Sequence, residues 1–154
     1  MTKGACHFVT GPVDPARPRD TRSGKVILSA SMRRFRVQIR IASVQGGAPV
    51  SIPDALVDTG SEYTWVPRAA LATAGIVPRR TQTFIVADGR RLEREIGYAL
   101  VQAAGAEAPD LVVFAEPGDL VLLGVHSLEG LNLKVDPVRK ELVPAGPVIT
   151  GCAA

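Results

Sequence analysis

The sequence predicts an all-β domain with one or two short helices, and three observations carry that prediction. Apolar and polar residues alternate from Phe35 to Ile41, where Phe35, Val37, Ile39 and Ile41 interleave with Arg36, Gln38 and Arg40. A period of two buries one face of a strand. Asp88-Gly89 separates two β-prone segments, a strong hairpin signal. Finally, 15 glycines and 12 prolines divide 154 residues into short elements and leave little room for long helices.

The elements follow in order. Residues 1–24 hold Gly4, Gly11, Pro12, Pro15, Pro18 and Gly24 with scattered charge and no apolar period, so they read as a flexible N-terminal arm. Regular structure starts near Met32 with the alternating strand, and Gly46-Gly47 turns the chain. Ala55, Leu56 and Val57 form a short buried strand. Pro67 opens a short helix that runs through Ala74 and stops at Gly75. Thr81–Ala87 and Arg91–Ala103 are the strands of the hairpin, and Gly105 marks the next turn. Leu111–Ala115 is a strand, Leu120–Leu123 is a buried one ending at Gly124, and Ser127–Leu131 suits a short helix. Leu131–Val135, the turn at Asp136-Pro137 and Glu141–Val143 close the domain, with residues 147–154 as a C-terminal tail.

Composition narrows the function classes. A chain of this length suits one domain with a single core. At 46% apolar but only 5% aromatic, that core is mostly aliphatic. The net charge of +3 permits nucleic-acid contact without arguing for it. Arg33, Arg34, Arg36 and Arg40 lack interleaved aromatic side chains, so they read as a solvated strand face. Cys6 and Cys152 lie at opposite ends and read as free thiols in a reducing compartment. His7 and His126 have no ligand spacing, so no metal and no cofactor are expected. No apolar run approaches the ~20 residues of a membrane span. The N-terminal stretch lacks the apolar segment of a signal peptide, and the expected location is cytoplasmic.

The informative segment is Ala55-Leu56-Val57-Asp58-Thr59-Gly60-Ser61, which places an acid directly after a buried strand. Gly60 allows a sharp turn that brings backbone N–H groups to the carboxylate, and such donors favour the ionised form. Thr59 can direct its hydroxyl at neighbouring backbone, and Ser61 can donate to the carboxylate from outside. A single carboxylate can hold a water. It cannot both activate that water and protonate a leaving group, so a second acid is needed.

Asp58-Thr59-Gly60-Ser61 resembles the active-site motif of aspartic proteases, and the extension to Trp65-Val66-Pro67 resembles the pepsin-type pattern. The remainder is similar to single-domain, retroviral-type proteases and their bacterial relatives. In that family two apolar residues and a glycine, followed by a short helix, sit beneath the catalytic loop. Leu122-Leu123-Gly124 with Ser127–Leu131 fits this signature, and the closing segments Val135–Arg139 and Leu142-Val143-Pro144 resemble the bacterial members.

The resemblance implies a retropepsin-like closed β-barrel half-domain over residues 25–146. With one Asp-Thr-Gly per chain, it also implies a homodimer in which each subunit gives one Asp58 to a shared site. The expected activity is hydrolysis of an extended polypeptide by a water held between the two carboxylates. In this frame Asp58, Thr59, Gly60 and Ser61 form the catalytic loop. Val86, Ala87, Asp88, Gly89 and Arg90 form a flap over substrate, while Trp65, Leu122, Leu123 and Gly124 support the loop. The charged tip departs from the glycine-rich flaps of retroviral enzymes and the tyrosine-bearing flaps of pepsin-type ones. It motivates a second reading, a catalytically weak or inactive dimerisation or peptide-binding module on the same fold.

Overall fold

A computed structural model describes residues 34–148. The arm 1–24, the residues through Arg33, both cysteines, His7 and the end of the tail lie outside the described residues. No helix among the described residues is long and apolar enough to cross a membrane.

The described residues form an all-β architecture with two short helices, as the sequence predicts. Strand β1 (Arg36–Ala42) buries Ile39 and Ile41 and turns Arg36, Gln38 and Arg40 to solvent. Strand β2 (Val50–Val57) is longer than the three residues expected. Pro53 disguised it, because proline removes a ladder donor. The structure places Pro53 where the β1–β2 register shifts, a bulge between the pairs Val37↔Ala55 and Ile39↔Ile52, which leaves its missing donor harmless.

Strand β3 (Thr64–Pro67) occupies residues that carried no strand expectation. It is too short to show a period, and three of its four residues are buried. Helix α1 (Arg68–Thr73) follows, with Pro67 as its N-cap rather than its first residue, and buries Leu71. Strands β4 (Arg80–Ile85) and β5 (Arg91–Ala103) form the expected hairpin.

Ala104 and Gly105 both take positive φ and turn β5 into β6 (Ala106–Ala115). Strand β6 starts earlier than its expected Leu111, because Pro109 again obscured the run. Pro109 lies opposite Leu100, beyond the reach of β3, which pairs only with residues 112–115. Strand β7 (Leu122–Leu123) is shorter than Leu120–Leu123, and Leu120 is exposed. Helix α2 (Val125–Gly130) begins two residues before the expected start. Strands β8 (Leu133–Asp136) and β9 (Glu141–Pro144) form a separate antiparallel pair.

The main sheet runs β1-β2-β7-β3-β6-β5-β4, and β1 also pairs with β5. This contact closes six strands into a ring and leaves β4 outside it. The first half of β5 therefore projects with β4 as an arm, while its second half is barrel wall. The core fills with aliphatic side chains, among them Ile39, Ile41, Val57, Val66, Leu71, Val101, Val112 and Leu123, around Phe114. A second cluster of Trp65, Ile96, Val113 and Ala115 lies under the hairpin and takes Tyr63, Phe84 and Leu122 at its margin.

Candidate active site

The loop bearing Asp58 is fixed by an unusual strand crossing. Strand β7 inserts between β2 and β3, parallel to β2 and antiparallel to β3. Leu122 thus has Leu56 on one side and Trp65 on the other. The Leu56 N–H donates to the Val121 carbonyl at 2.9 Å, and the Asp58 N–H to the Leu123 carbonyl at 3.1 Å. The acid leaves the sheet only after its own backbone has been registered against β7.

The Asp58 carboxylate is half-buried. Its Oδ1 accepts the Gly60 N–H at 3.0 Å, the donor expected of the glycine turn. The Ser61 N–H bonds the Asp58 carbonyl at 3.1 Å and closes the turn. The Ser61 hydroxyl does not reach the carboxylate. It donates to the Tyr63 carbonyl at 3.0 Å, because the turn carries Ser61 past the acid and onward along the loop. Thr59 is exposed, and its hydroxyl makes no hydrogen bond among the described residues, contrary to the local backbone contact expected for it.

Gly124 supports the loop from below. Its N–H donates to Thr64 Oγ1 at 3.0 Å. The next two N–H groups, of Val125 and His126, donate to the Ser61 and Glu62 carbonyls at 2.8 and 3.0 Å. The start of α2 thereby supplies the donors that the irregular stretch Ser61–Tyr63 needs.

A buried hydrogen-bond chain continues from Thr64. Its Oγ1 lies 2.6 Å from Ser127 Oγ, and Ser127 Oγ donates to Asp110 Oδ2 at 2.5 Å. A carboxylate only accepts, so the direction is fixed: Gly124 N–H to Thr64, Thr64 to Ser127, Ser127 to Asp110. Sequence reasoning noted Ser127 only as a residue near a helix start and missed Thr64 and Asp110. The available signal was a threonine in the otherwise apolar run Thr64-Trp65-Val66.

The hairpin residues named as a flap form the β4–β5 tip. The Val86 N–H bonds the Arg90 carbonyl at 3.0 Å and the Gly89 N–H bonds the Val86 carbonyl at 2.8 Å, with Gly89 at φ +83°. Asp88 Oδ1 accepts the Arg90 N–H at 3.0 Å, and Oδ2 accepts Arg90 Nε at 2.6 Å. The Arg90 backbone donor first, and its guanidinium second, hold the Asp88 carboxyl below the usual range. Phe84 packs edge-on against Trp65 and Tyr63, with ring centroids 5.1 and 5.7 Å apart, which anchors the base of the arm.

Between the tip and the barrel lies a cavity of about 350 Å³ lined in part by Trp65, Val86, Asp88, Leu92, Asp119 and Leu122. Ala87 and Arg90 also border it, whereas Asp58 does not. The loop Glu116–Val121 forms its far wall. That loop is tied to the arm by Arg94, whose Nε and Nη2 bond Asp119 Oδ2 and Oδ1 at 2.7 and 3.0 Å. Asp119 Oδ2 also accepts the Glu116 N–H at 2.8 Å. The Arg94 guanidinium first, and the Glu116 N–H after it, hold the Asp119 carboxyl below its ordinary value against the opposing effect of burial. Arg68 bridges Glu116 and Glu95 on the outer side, and both acids raise its pKa.

No protein-family model matches the chain, and no curated protein matches it. Among solved structures the chain is similar to the solution structure of Simian Foamy Virus (mac) protease. The identity is 21% and the TM-score 0.43, over 62% of this chain and 92% of that one.

Proposed function

We propose that the protein is a homodimeric aspartic endopeptidase of the retropepsin type. The observation that carries this reading is the placement of Asp58. Its backbone is registered on β7, one carboxylate oxygen is held by the Gly60 N–H, and Oδ2 accepts no hydrogen bond among the described residues. The chain offers one such acid at the end of β2, so the chemistry calls for a second copy facing it across a two-fold axis.

Two carboxylates at such a site cannot both ionise comfortably and share a proton. The ionised Asp58 takes a proton from the attacking water as its oxygen bonds to the peptide carbonyl carbon. The protonated Asp58 gives its proton to the carbonyl oxygen, and collapse of the tetrahedral adduct expels the amine after it is protonated. No step requires a metal or a covalent intermediate. The hairpin tip, carrying Val86, Ala87, Asp88, Gly89 and Arg90, closes over extended substrate and excludes water.

The test compares wild type with Asp58→Asn on a peptide library between pH 3 and 7, together with a statine-type transition-state mimic. Cleavage by the wild type alone, blocked by the mimic, supports the reading. Equal cleavage by both proteins removes Asp58 from the mechanism.

One observation favours a second reading, a peptide-binding module without hydrolysis. The tip closes on itself through Asp88 and Arg90, so its charges are already paired. A wild type that binds extended peptides and cleaves none at any pH decides for it.

A further inference from the structure

The cavity beneath the hairpin carries a polar group that the reaction does not use. Trp65 is 8% exposed, yet its indole N–H donates to no acceptor among the described residues. Among the described residues, none of the side-chain nitrogens or oxygens sealed from solvent lacks a partner. The indole N–H is therefore not sealed from solvent, and Trp65 borders this cavity.

An acceptor lines the same space. Asp119 Oδ2 takes both Arg94 Nε and the Glu116 N–H, while Oδ1 takes Arg94 Nη2 alone. A carboxylate oxygen can accept two hydrogen bonds, so Oδ1 keeps one place open. The Arg94 pair keeps this carboxylate ionised at neutral pH and therefore acceptor-only. Val86, Ala87, Leu92, Leu120 and Leu122 supply apolar walls, and the paired charges of Asp88 and Arg90 stand at the tip side.

A volume of about 350 Å³ holds an aromatic side chain. A phenol has a group for each feature: a ring for the apolar walls, an oxygen that can accept from the indole, and a hydrogen that can go to Asp119. A phenyl ring fills the same volume but leaves the indole donor without a partner and the open place on Asp119 Oδ1 unfilled. The cavity also abuts the acid-bearing strand, since Trp65 pairs with Leu122 and Leu122 with Leu56, two residues before Asp58.

We propose that this cavity is a side-chain subsite that selects tyrosine over phenylalanine in an extended polypeptide, with Trp65 as the specificity-determining donor and Asp119 as the acceptor. Its consequence for cleavage rests on the peptidase reading; its consequence for binding does not.

The experiment uses peptides that differ only in carrying tyrosine, O-methyltyrosine or phenylalanine, placed in turn at each position flanking the cleaved bond. At one position kcat/KM for tyrosine exceeds that for phenylalanine by at least about tenfold, the worth of one neutral hydrogen bond, since the second bond goes to a carboxylate. O-methyltyrosine, which accepts but cannot donate, falls between them. In Trp65→Phe the tyrosine-to-phenylalanine ratio falls clearly below its wild-type value, because only the bond to Asp119 remains, whatever happens to either rate; an unchanged ratio removes Trp65 as the donor. Binding is read separately in Asp58→Asn, where the single tryptophan of the chain reports occupancy by its own fluorescence. The tyrosine peptide shifts that emission at about tenfold lower concentration than the phenylalanine peptide. Equal rates and equal binding at every position overturn the subsite. If no peptide is cleaved, the peptidase reading fails, and the fluorescence titration alone decides the subsite.

Discussion

The Gly124 backbone lies so close to the Tyr63 carbonyl that a Cβ at Gly124 would overlap both its oxygen and its carbon, with the Glu62 oxygen at 2.9 Å. These atoms belong to backbone that is itself hydrogen-bonded to the start of α2, so they cannot move aside cheaply. Gly124→Ala is expected to cost about 3 kcal/mol, at the upper end for forced overpacking. Urea unfolding measures it. A loss below about 0.5 kcal/mol, the scale of an ordinary surface change, contradicts the close approach.

Thr64 is fully buried and both accepts from Gly124 and donates to Ser127. Thr64→Val keeps the shape and removes the hydroxyl. The Gly124 N–H then loses its acceptor, and Ser127 keeps only Asp110. The expected cost is about 2 kcal/mol, because an unsatisfied buried donor loses its full solvation. Ser127→Ala leaves the Gly124–Thr64 bond in place and should cost less. The reverse order in denaturant midpoints contradicts the assigned direction of the chain.

Much of this was legible in the sequence, and the failures share a cause. The alternation in β1 and the Asp88-Gly89 turn are local signals, the first set by a period of two and the second by the backbone of the turn residues. The extents of β2 and β6 were hidden by Pro53 and Pro109, which count against a strand until the structure shows their missing donors at a bulge and an unpaired edge. Strand β3 is only four residues long and is held in place by β6 and β7, partners distant in sequence. The acid at Asp58 could be found from Asp-Thr-Gly, but the route of the Ser61 hydroxyl could not, because it depends on where the loop goes next. Thr64, Ser127 and Asp110 come from three separate elements, and no spacing rule joins them.

The Arg94–Asp119 pair predicts an acid-sensitive stability. Both side chains are largely buried, at 19% and 11% exposed, and the pair fastens the arm to the cavity wall. The Asp119 carboxyl is depressed in the folded protein, so its contribution is fully present above the unfolded value of about 4 and is lost as pH falls through the lower folded value. Asp119→Asn should therefore cost about 2 kcal/mol from pH 5 to 7, the scale of a hydrogen bond to a charged group. The gap to wild type should narrow steadily below about pH 4. Urea midpoints measured against pH check this, and a gap that stays constant into acid shows that the pair is not what the carboxyl contributes.

Mixing decides whether the reaction centre is shared. Asp58→Asn keeps an oxygen that can accept the Gly60 N–H, so the variant should fold with a stability within about 0.5 kcal/mol of wild type. If each site takes one Asp58 from each of two chains, a mixed dimer holds a single carboxylate and is inactive. Equal amounts of the two proteins, dissociated and reassociated at fixed total concentration, then retain about a quarter of the wild-type activity, the share of purely wild-type dimers under random pairing. A self-sufficient chain retains about half, because every wild-type copy keeps its own complete site. Peptide hydrolysis measured across a series of mixing ratios separates a square-law decline from a linear one, and the linear outcome removes the second Asp58 from the mechanism.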